Sequence, residues 1–344
     1  MISLLTKALK KAGLVLASLL IFLLSAWAFG ALWFDGQVTT AGYATGHGMA
    51  LIYLMVELLL LILFLRGSRW AGGAAALIIA LVSGWWIHVQ PSNDRNWQAD
   101  VSREPWAEVH GDHVTLHNVR NFAYSSDPSE NDLGERWETR TVSLSQLSGV
   151  DAFLNFWGVS WMAHPILSFQ FRDAPPIAFS IETRKEKDEN YSALGGLYRQ
   201  YELVYVVADE RDVIRVRTNR RKGEQVYLYR ITLSPAEVRK RFLEYICSMN
   251  ALREHPRWYN AITANCTTAI RSQRSLEART AWDWRILLNG QVDEMFYERG
   301  LLETEGLPFP VLRQRALINE AAMKADQDPD FSRRIRSGLP GFGR

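Results

Sequence analysis

Hydrophobic patterning divides the chain near residue 90. Before that point, apolar runs extend from Gly13 to Trp33 without a charge, from about His47 to Leu65 with one, Glu57, and from Trp70 to Ile87. Each has the roughly 20-residue length at which a helix rising about 1.5 Å per residue crosses a bilayer, so three transmembrane helices are expected within residues 1–90. A cleaved signal peptide is the competing reading of the first run. That run exceeds the roughly 7–15 apolar residues of such a leader, and two more spans follow it. Lys7, Lys10 and Lys11 precede the first run and Arg66 and Arg69 separate the second from the third, while Asp35 to Gly46 holds no basic residue. Positive-inside counting therefore places the N-terminus and the 66–69 loop in the cytoplasm and everything after Trp86 on the other side of the membrane. A cysteine introduced beyond Asn93, for instance at Ser126, is expected to be accessible from that side. Trp27, Trp33, Trp85 and Trp86 collect toward the outer ends, as an interfacial belt would.

After residue 90 the period changes. Pro91 to Trp106 is polar and irregular and is expected to be a linker. Runs rich in β-branched and aromatic residues predict strands at His113–Val119, Trp137–Val142, Ala152–Trp157, Ile166–Phe171, Ile177–Ile181, Leu203–Val207, Val213–Arg217 and Gln225–Ile231. Ser234-Pro235-Ala236-Glu237 reads as a capping box with Pro at the first helical position. The helix it opens keeps Val238, Phe242, Tyr245, Ile246, Met249 and Leu252 on one face. Strands followed by helices argue for an α+β domain over residues 107–310, with a C-terminal helix at Val311–Ala325 and a tail completing 311–344.

Charge and composition sharpen this division. Of 39 Lys+Arg and 37 Asp+Glu, only seven fall in residues 1–90, and the net charge of +2 leaves no basic stripe of the kind that binds nucleic acid. Glu57, mid-span, is expected to bond a neighbouring helix, because an unpaired carboxylate there costs about 2.5–3.5 kcal/mol. His110, His113 and His117 beside Asp112 invite a metal reading. On a strand, however, His113 and His117 are about 13 Å apart at 3.3 Å per residue, too far to share an ion held about 2.1 Å from each ring. No metal or cofactor is expected. The two cysteines, Cys247 and Cys266, allow at most one disulfide.

Chemistry concentrates around Cys266. In Trp258-Tyr259-Asn260-Ala261-Ile262-Thr263-Ala264-Asn265-Cys266-Thr267-Thr268, Asn265 and the threonines favour a helix start at or beside Cys266. The positive end of a helix dipole and its free N–H groups stabilise a thiolate and can bind an oxyanion. Cys247, mid-helix, reads as an ordinary small hydrophobe. A thiol nucleophile needs a base, and His164, directly ahead of a predicted strand, is the candidate. Glu182 closes the next strand. A hairpin would bring His164 and Glu182 to the same end of the sheet, where Glu182 could orient the imidazole; an ion pair of Glu182 with Arg184 is the alternative. Asp209, Glu210, Arg211, Asp212, Arg215 and Arg217 read either as a head-group-binding surface or as a hairpin turn and strand with outward arginines. Leu194-Gly195-Gly196-Leu197-Tyr198 reads as a turn that could cover an acyl chain.

Several of these segments together, namely His164 with Ser168-Phe169, Ser180-Ile181-Glu182-Thr183-Arg184, Tyr201 to Val207, Asp209 to Val213, Arg215 to Asn219, Val226 to Tyr229 and Trp258-Tyr259-Asn260 with Asn265-Cys266-Thr267-Thr268, resemble the Lnb N-terminal periplasmic domain family. The tail Phe331-Ser332-Arg333-Arg334-Ile335-Arg336 is similar to the family's ending. The resemblance implies a circularly permuted papain-like (NlpC-type) fold, in which His precedes Cys along the chain. It implies a thiol acyltransferase that takes an acyl chain from a membrane lipid through a Cys266 thioester to an acceptor, with lipoprotein N-acylation the family's association. His164 and Glu182 would assist, with Asn265, Tyr259, Arg184 and Arg215 supporting the site or its substrate. Related permuted folds include wall peptidases, so a cysteine peptidase, amidase or lipase is the alternative, and a non-enzymatic envelope module a third. The chain departs from the family's type member in carrying its spans ahead of the matching block.

Overall fold

The computed structural model describes residues 2–36, 43–124, 134–158, 161–273, 283–288 and 290–343; Ser126 lies outside them. The chain forms two compact units, the first made of Met1–Ser92, Asn190–Glu202 and Trp258–Ala261, the second of Asn93–Glu189, Leu203–Arg257 and Ile262–Arg344.

The first unit is built on α1 (Ile2–Asp35), α2 (Tyr43–Leu65) and α3 (Arg69–His88), each long and apolar enough to cross a membrane. Small residues let the helices approach: Ala28, Ala31, Ala50 and Ala71 are fully buried, and a Cβ at Gly72 would stand 2.7 Å from the Phe64 ring. Glu57 is buried on α2 and accepts a 3.0 Å hydrogen bond from Ser25 Oγ of α1, the interhelical partner that a mid-span carboxyl requires.

The second unit is an α+β domain around one sheet. Its strands are β1 (Trp106–His110), β2 (His113–Arg120), β3 (Trp137–Ser143), β4 (Leu147–Trp157), β5 (Ala163–Phe171), β6 (Ile177–Arg184), β7 (Glu202–Ala208) and β8 (Glu224–Arg230), in the order β1-β2-β7-β6-β5-β4-β8 with β3 beside β2. Alternation along the strands feeds two cores. On one face Phe153, Ile166, Ala178, Val204, Val206 and Leu228 pack with Ile318, Phe331 and Ile335 from the C-terminal part. On the other, Phe169 of β5 and Phe179 of β6 make edge-to-face contacts with Phe242 and Tyr245 of α5 (Pro235–Glu254), which follows α4 (Glu210–Val213). The Ser234 capping box forms, and the six positions expected on the inner face of α5 are all buried. Beyond it lie α6 (Cys266–Ser272), α7 (Arg285–Leu288), α8 (Val292–Glu298), α9 (Phe309–Ala316), α10 (Asn319–Lys324) and α11 (Phe331–Arg334).

Three expectations are corrected. Residues 91–106 are no free linker: Trp97 and Val101 are buried, Gln98 N–H bonds the Lys185 carbonyl at 2.9 Å, and the next residues form β1, which turns at Gly111 (φ +63°) into β2. This hairpin sets His110 opposite His113 and stacks His117 on Trp106 at 3.9 Å. The expected strand Val213–Arg217 is instead the end of α4 and a π-type turn over Val216–Arg220. Asp209 caps α4 by accepting from Arg211 N–H, and Glu210, Asp212, Arg215 and Arg217 are buried rather than forming an outward surface. The C-terminal helix breaks at Leu317 and Ile318, because Ile318 N–H bonds the Val226 carbonyl and Asn319 Oδ1 accepts from Val226 N–H, closing the free edge of β8.

The tail is part of the core. Arg336 donates to Asp151 at 2.8 and 2.9 Å and to Glu210 at 2.6 and 2.7 Å, with Ser168 Oγ on Glu210 at 2.5 Å and Arg230 on Asp151 at 2.6 Å. Removing the one cation that serves both buried carboxylates strands charge in an apolar interior. Arg336→Met is therefore expected to destabilise the domain by about 3–5 kcal/mol. Thermal unfolding of the detergent-solubilised protein should show a drop on the order of 10 °C; an unchanged midpoint would mean that the cluster is solvated.

Candidate active site

The β5–β6 hairpin sets the first part of the site. Ile166 pairs with Ser180, Leu167 with Phe179 and Ser168 with Ala178. Continuing that register puts His164, the second residue of β5, opposite Glu182, with Ser180 on the same face two residues earlier. The side chains meet: His164 Nε2 lies 2.6 Å from Ser180 Oγ and 3.2 Å from Glu182 Oε1, and Ser180 Oγ donates to Glu182 Oε1 at 2.6 Å. Since the Ser180 hydroxyl proton goes to Glu182, its oxygen accepts from Nε2–H, and this network assigns the ring proton to Nε2. Nδ1 is the nitrogen left for a partner on the other side.

Behind Glu182 stands Arg217. Its guanidinium donates to Glu182 Oε1 at 2.6 Å and lies 3.8 Å from Glu224 Oε2, which in turn accepts from Asn155 Nδ2 at 2.7 Å. Asn155 is the residue opposite His164 on β4, so the chain of contacts closes on itself. His164, Arg217 and Asn155 are buried, and Glu182 is partly so.

Cys266 opens α6, which packs on β5 and β6. Asn265 is the helix cap, its Oδ1 accepting from Thr267 N–H at 3.1 Å and Thr268 N–H at 2.9 Å. Those two N–H groups are thus occupied and do not form the oxyanion site expected at this helix start. The Cys266 thiol is buried, 3.9 Å from Thr267 Oγ1, and close enough to the His164 side chain to raise the pKa of that ring. On α5, the buried Tyr245 hydroxyl has no hydrogen-bond partner among the described residues and lies within electrostatic reach of Cys266.

The charge states follow from these neighbours. Burial alone would pull the His164 pKa down, but the Glu182 carboxylate and the bonds to Cys266 and Glu182 outweigh it and the opposing Arg217 charge, holding the imidazole at about 9. For Glu182 burial acts upward and is overcome by His164 and Arg217, so the carboxyl stays well below the usual range. At neutral pH an imidazolium with its own counter-ion therefore stands next to the sulfur.

Of the other residues singled out by sequence, Arg184 is elsewhere. It is buried against Glu104 Oε1 at 2.6 Å and the Val101 and Ser102 carbonyls, so the Glu182–Arg184 ion pair does not form. Arg215 donates to the Asp326 carbonyl at 2.9 Å. Tyr259 belongs to the first unit, where its N–H bonds the Tyr201 carbonyl at 2.9 Å. Cys247 is mid-helix as expected but exposed rather than buried, and neither cysteine is in a disulfide. Ser180 was not foreseen as a site residue, and Arg217 only as part of a head-group-binding surface. Period-2 spacing from Glu182 could have flagged Ser180; Arg217 was hidden by the strand expected around it.

Among the described residues no group of His, Cys, Asp and Glu could hold a metal ion. No curated protein and no solved structure matches the chain. Residues 134–290, which hold His164, Glu182 and Cys266, match the family described as the Lnb N-terminal periplasmic domain, to which the motifs pointed, and with three helices able to cross a bilayer ahead of that match the chain is a membrane-anchored periplasmic protein.

Proposed function

We propose that the protein is a cysteine-dependent acyltransferase that moves an acyl chain from a membrane lipid ester to an acceptor. The observation that supports this reading is the placement of the buried Cys266 thiol beside His164, whose ring is backed on the far side by Ser180, Glu182 and Arg217. A histidine on a strand that precedes a cysteine at a helix start fits a circularly permuted papain-like arrangement.

In the first half-reaction the Cys266 thiolate attacks the ester carbonyl, forming a C–S bond and a tetrahedral oxyanion. Collapse breaks the C–O bond, and the leaving alkoxide takes the His164 Nδ1 proton, releasing the lysolipid. In the second, an acceptor amine attacks the thioester, the C–S bond breaks, and the amine proton passes to His164, restoring the thiolate and imidazolium. With Thr267 and Thr268 N–H capped by Asn265, the donor offered to the oxyanion is the buried Tyr245 hydroxyl. Three spans hold the domain at the membrane, where acyl esters are found, and a lipoprotein amine is the acceptor suggested by the family match. The orientation read from the basic residues puts the domain on the periplasmic side of the inner membrane.

Three tests follow from this reading. Purified protein incubated with an isotopically labelled phospholipid should gain the mass of one acyl chain on Cys266. Cys266→Ser should lose thioester and turnover by at least about 10³-fold, with Cys247→Ser near wild type. Equal losses from both variants would make the thiols structural, and conversion of the thioester to free fatty acid despite an amine acceptor would make the protein a hydrolase.

Glu182→Gln should lower transfer on the order of 10–100-fold, as loss of a group orienting another does, and should cost little more when added to His164→Ala. Its pH signature has a fixed sign. With the His164 pKa raised from 6.5 to about 9, the stability the ion pair contributes is complete below about 6.5, and the pair itself is lost as pH rises through about 9, so activity should fall on an alkaline limb near 9. The lowered Glu182 pKa keeps its side of the pair above 4.5 and loses it only on further acidification. In Glu182→Gln the alkaline limb should move toward neutrality; a limb that stays in place would remove Glu182 from the charge balance of His164.

For orientation, Asp173, exposed in the β5–β6 turn, is the probe site. Asp173→Cys should react with an impermeant maleimide in intact spheroplasts; reaction only after membrane disruption would reverse the topology.

A further inference from the structure

We infer that residues 191–198 form a membrane-surface strap whose Leu194 and Leu197 side chains insert among the lipids at the level where α1 and α3 end. This inference concerns the first unit and does not rest on the thiol chemistry.

The segment follows a charged run, Lys185-Glu186-Lys187-Asp188-Glu189, yet from Tyr191 to Tyr198 it carries no charge at all. It belongs to the unit of the spans. Arg199 fastens it: its N–H bonds Asp35 Oδ1 at 2.9 Å, and its guanidinium donates to the carbonyls of Trp86, Ile87 and Val89 at 2.6, 3.1 and 2.9 Å while lying 3.9 Å from the centre of the Trp86 ring. The Ile87 and Val89 carbonyls lie in the last turn of α3 and just beyond it, and the Trp86 carbonyl also takes the Val89 N–H at 3.3 Å. Trp86 Nε1 bonds Asp35 Oδ2 at 2.6 Å, which puts the ends of α1 and α3 at one level.

From that anchor the strap reaches back along α1. Tyr198 stacks on Phe34 with ring centres 5.3 Å apart, and its hydroxyl fills the notch left by Gly30, where any Cβ would run into it. Gly30 lies five residues before Asp35, about 7.5 Å along the helix axis. The Tyr198 ring thus sits beside the last turns of an apolar span, the depth favoured by interfacial tyrosines.

The turn is held rather than loose. Ser192 binds it through Gly195 N–H on its Oγ at 3.1 Å and Gly196 N–H on its carbonyl at 2.9 Å, Leu197 N–H bonds the Leu194 carbonyl, and Ala261 N–H bonds the Gly196 carbonyl at 2.7 Å. This fixed frame leaves Leu194 and Leu197 65% and 41% exposed, and Ile87 at the end of α3, whose carbonyl Arg199 holds, is 61% exposed. A second protein would need polar groups to set its register, and Tyr191 to Tyr198 offers no charged one. Continuity with the lipid-facing spans makes the bilayer the occupant.

Probe depth tests this directly. Full-length protein carrying Cys247→Ser and Cys266→Ser, with an NBD fluorophore on Leu194→Cys, Leu197→Cys, Ile87→Cys or Asp173→Cys in turn, is reconstituted into phosphatidylethanolamine and phosphatidylglycerol bilayers. Brominating the acyl chains should quench the probe at 194 and 197 by about twofold, as at 87, while the probe at 173 stays bright. Quenching at either leucine supports the strap. If both behave like position 173 while position 87 is quenched, the segment is not in the membrane and the inference fails. The readout is depth and not turnover, so an inactive Cys266 reaction would leave this result unaffected.

Discussion

The register of the β5–β6 hairpin is the constraint on which the site depends. With Ile166 opposite Ser180, the face that holds His164, Ser180 and Glu182 also holds Ile166 and Ala178, which are buried in the core with Phe331 and Ile335. The opposite face holds Phe169 and Phe179 under α5. A slip of one residue would exchange these faces and expel both sets of side chains from their cores. The apolar packing therefore fixes the geometry of the polar trio, and the trio adds a hydrogen-bonded link across the same two strands.

Buried charge is the second organising feature. Glu182, Arg217 and Glu224 form one run of alternating sign; Asp151, Arg336 and Glu210 form another, and Arg120 with Asp212 a third at 2.9 Å. In a desolvated interior each of these groups is tolerable only with its partner in place. This explains why the segment 209–220 coils rather than extends. As a strand it would send alternate charges to opposite faces; as α4 and a π-type turn it delivers Asp212 to Arg120, Glu210 to Arg336 and Arg217 to Glu182.

The first unit solves a different problem with the same groups. Arg199 caps the end of α3 with its guanidinium and donates its backbone N–H to Asp35, so these two residues mark the boundary where the apolar helices stop. Small residues within the helices and aromatic residues at their ends divide the work of packing and positioning.

What the sequence determined by itself is whatever a short window encodes. The three spans, the capping box and inner face of α5, the strands around Ala152–Trp157 and Ile166–Phe171, and a helix starting at Cys266 beside its Asn265 cap were legible from period, propensity and capping chemistry. So were His164 and Glu182 as neighbours, because a hairpin of adjacent strands is a local object. What only the tertiary structure decided is which charges meet. Arg217 lies 35 residues from Glu182 and Arg336 lies 185 from Asp151, and the alternation Val213-Ile214-Arg215-Val216-Arg217 reads as a strand to any local rule. Likewise the Thr267 and Thr268 N–H groups read as open oxyanion donors until the Asn265 side chain is seen to fill them. The reason is energetic: an unpaired buried charge is penalised by more than any local propensity differs between helix and strand, so distant partners override the neighbours.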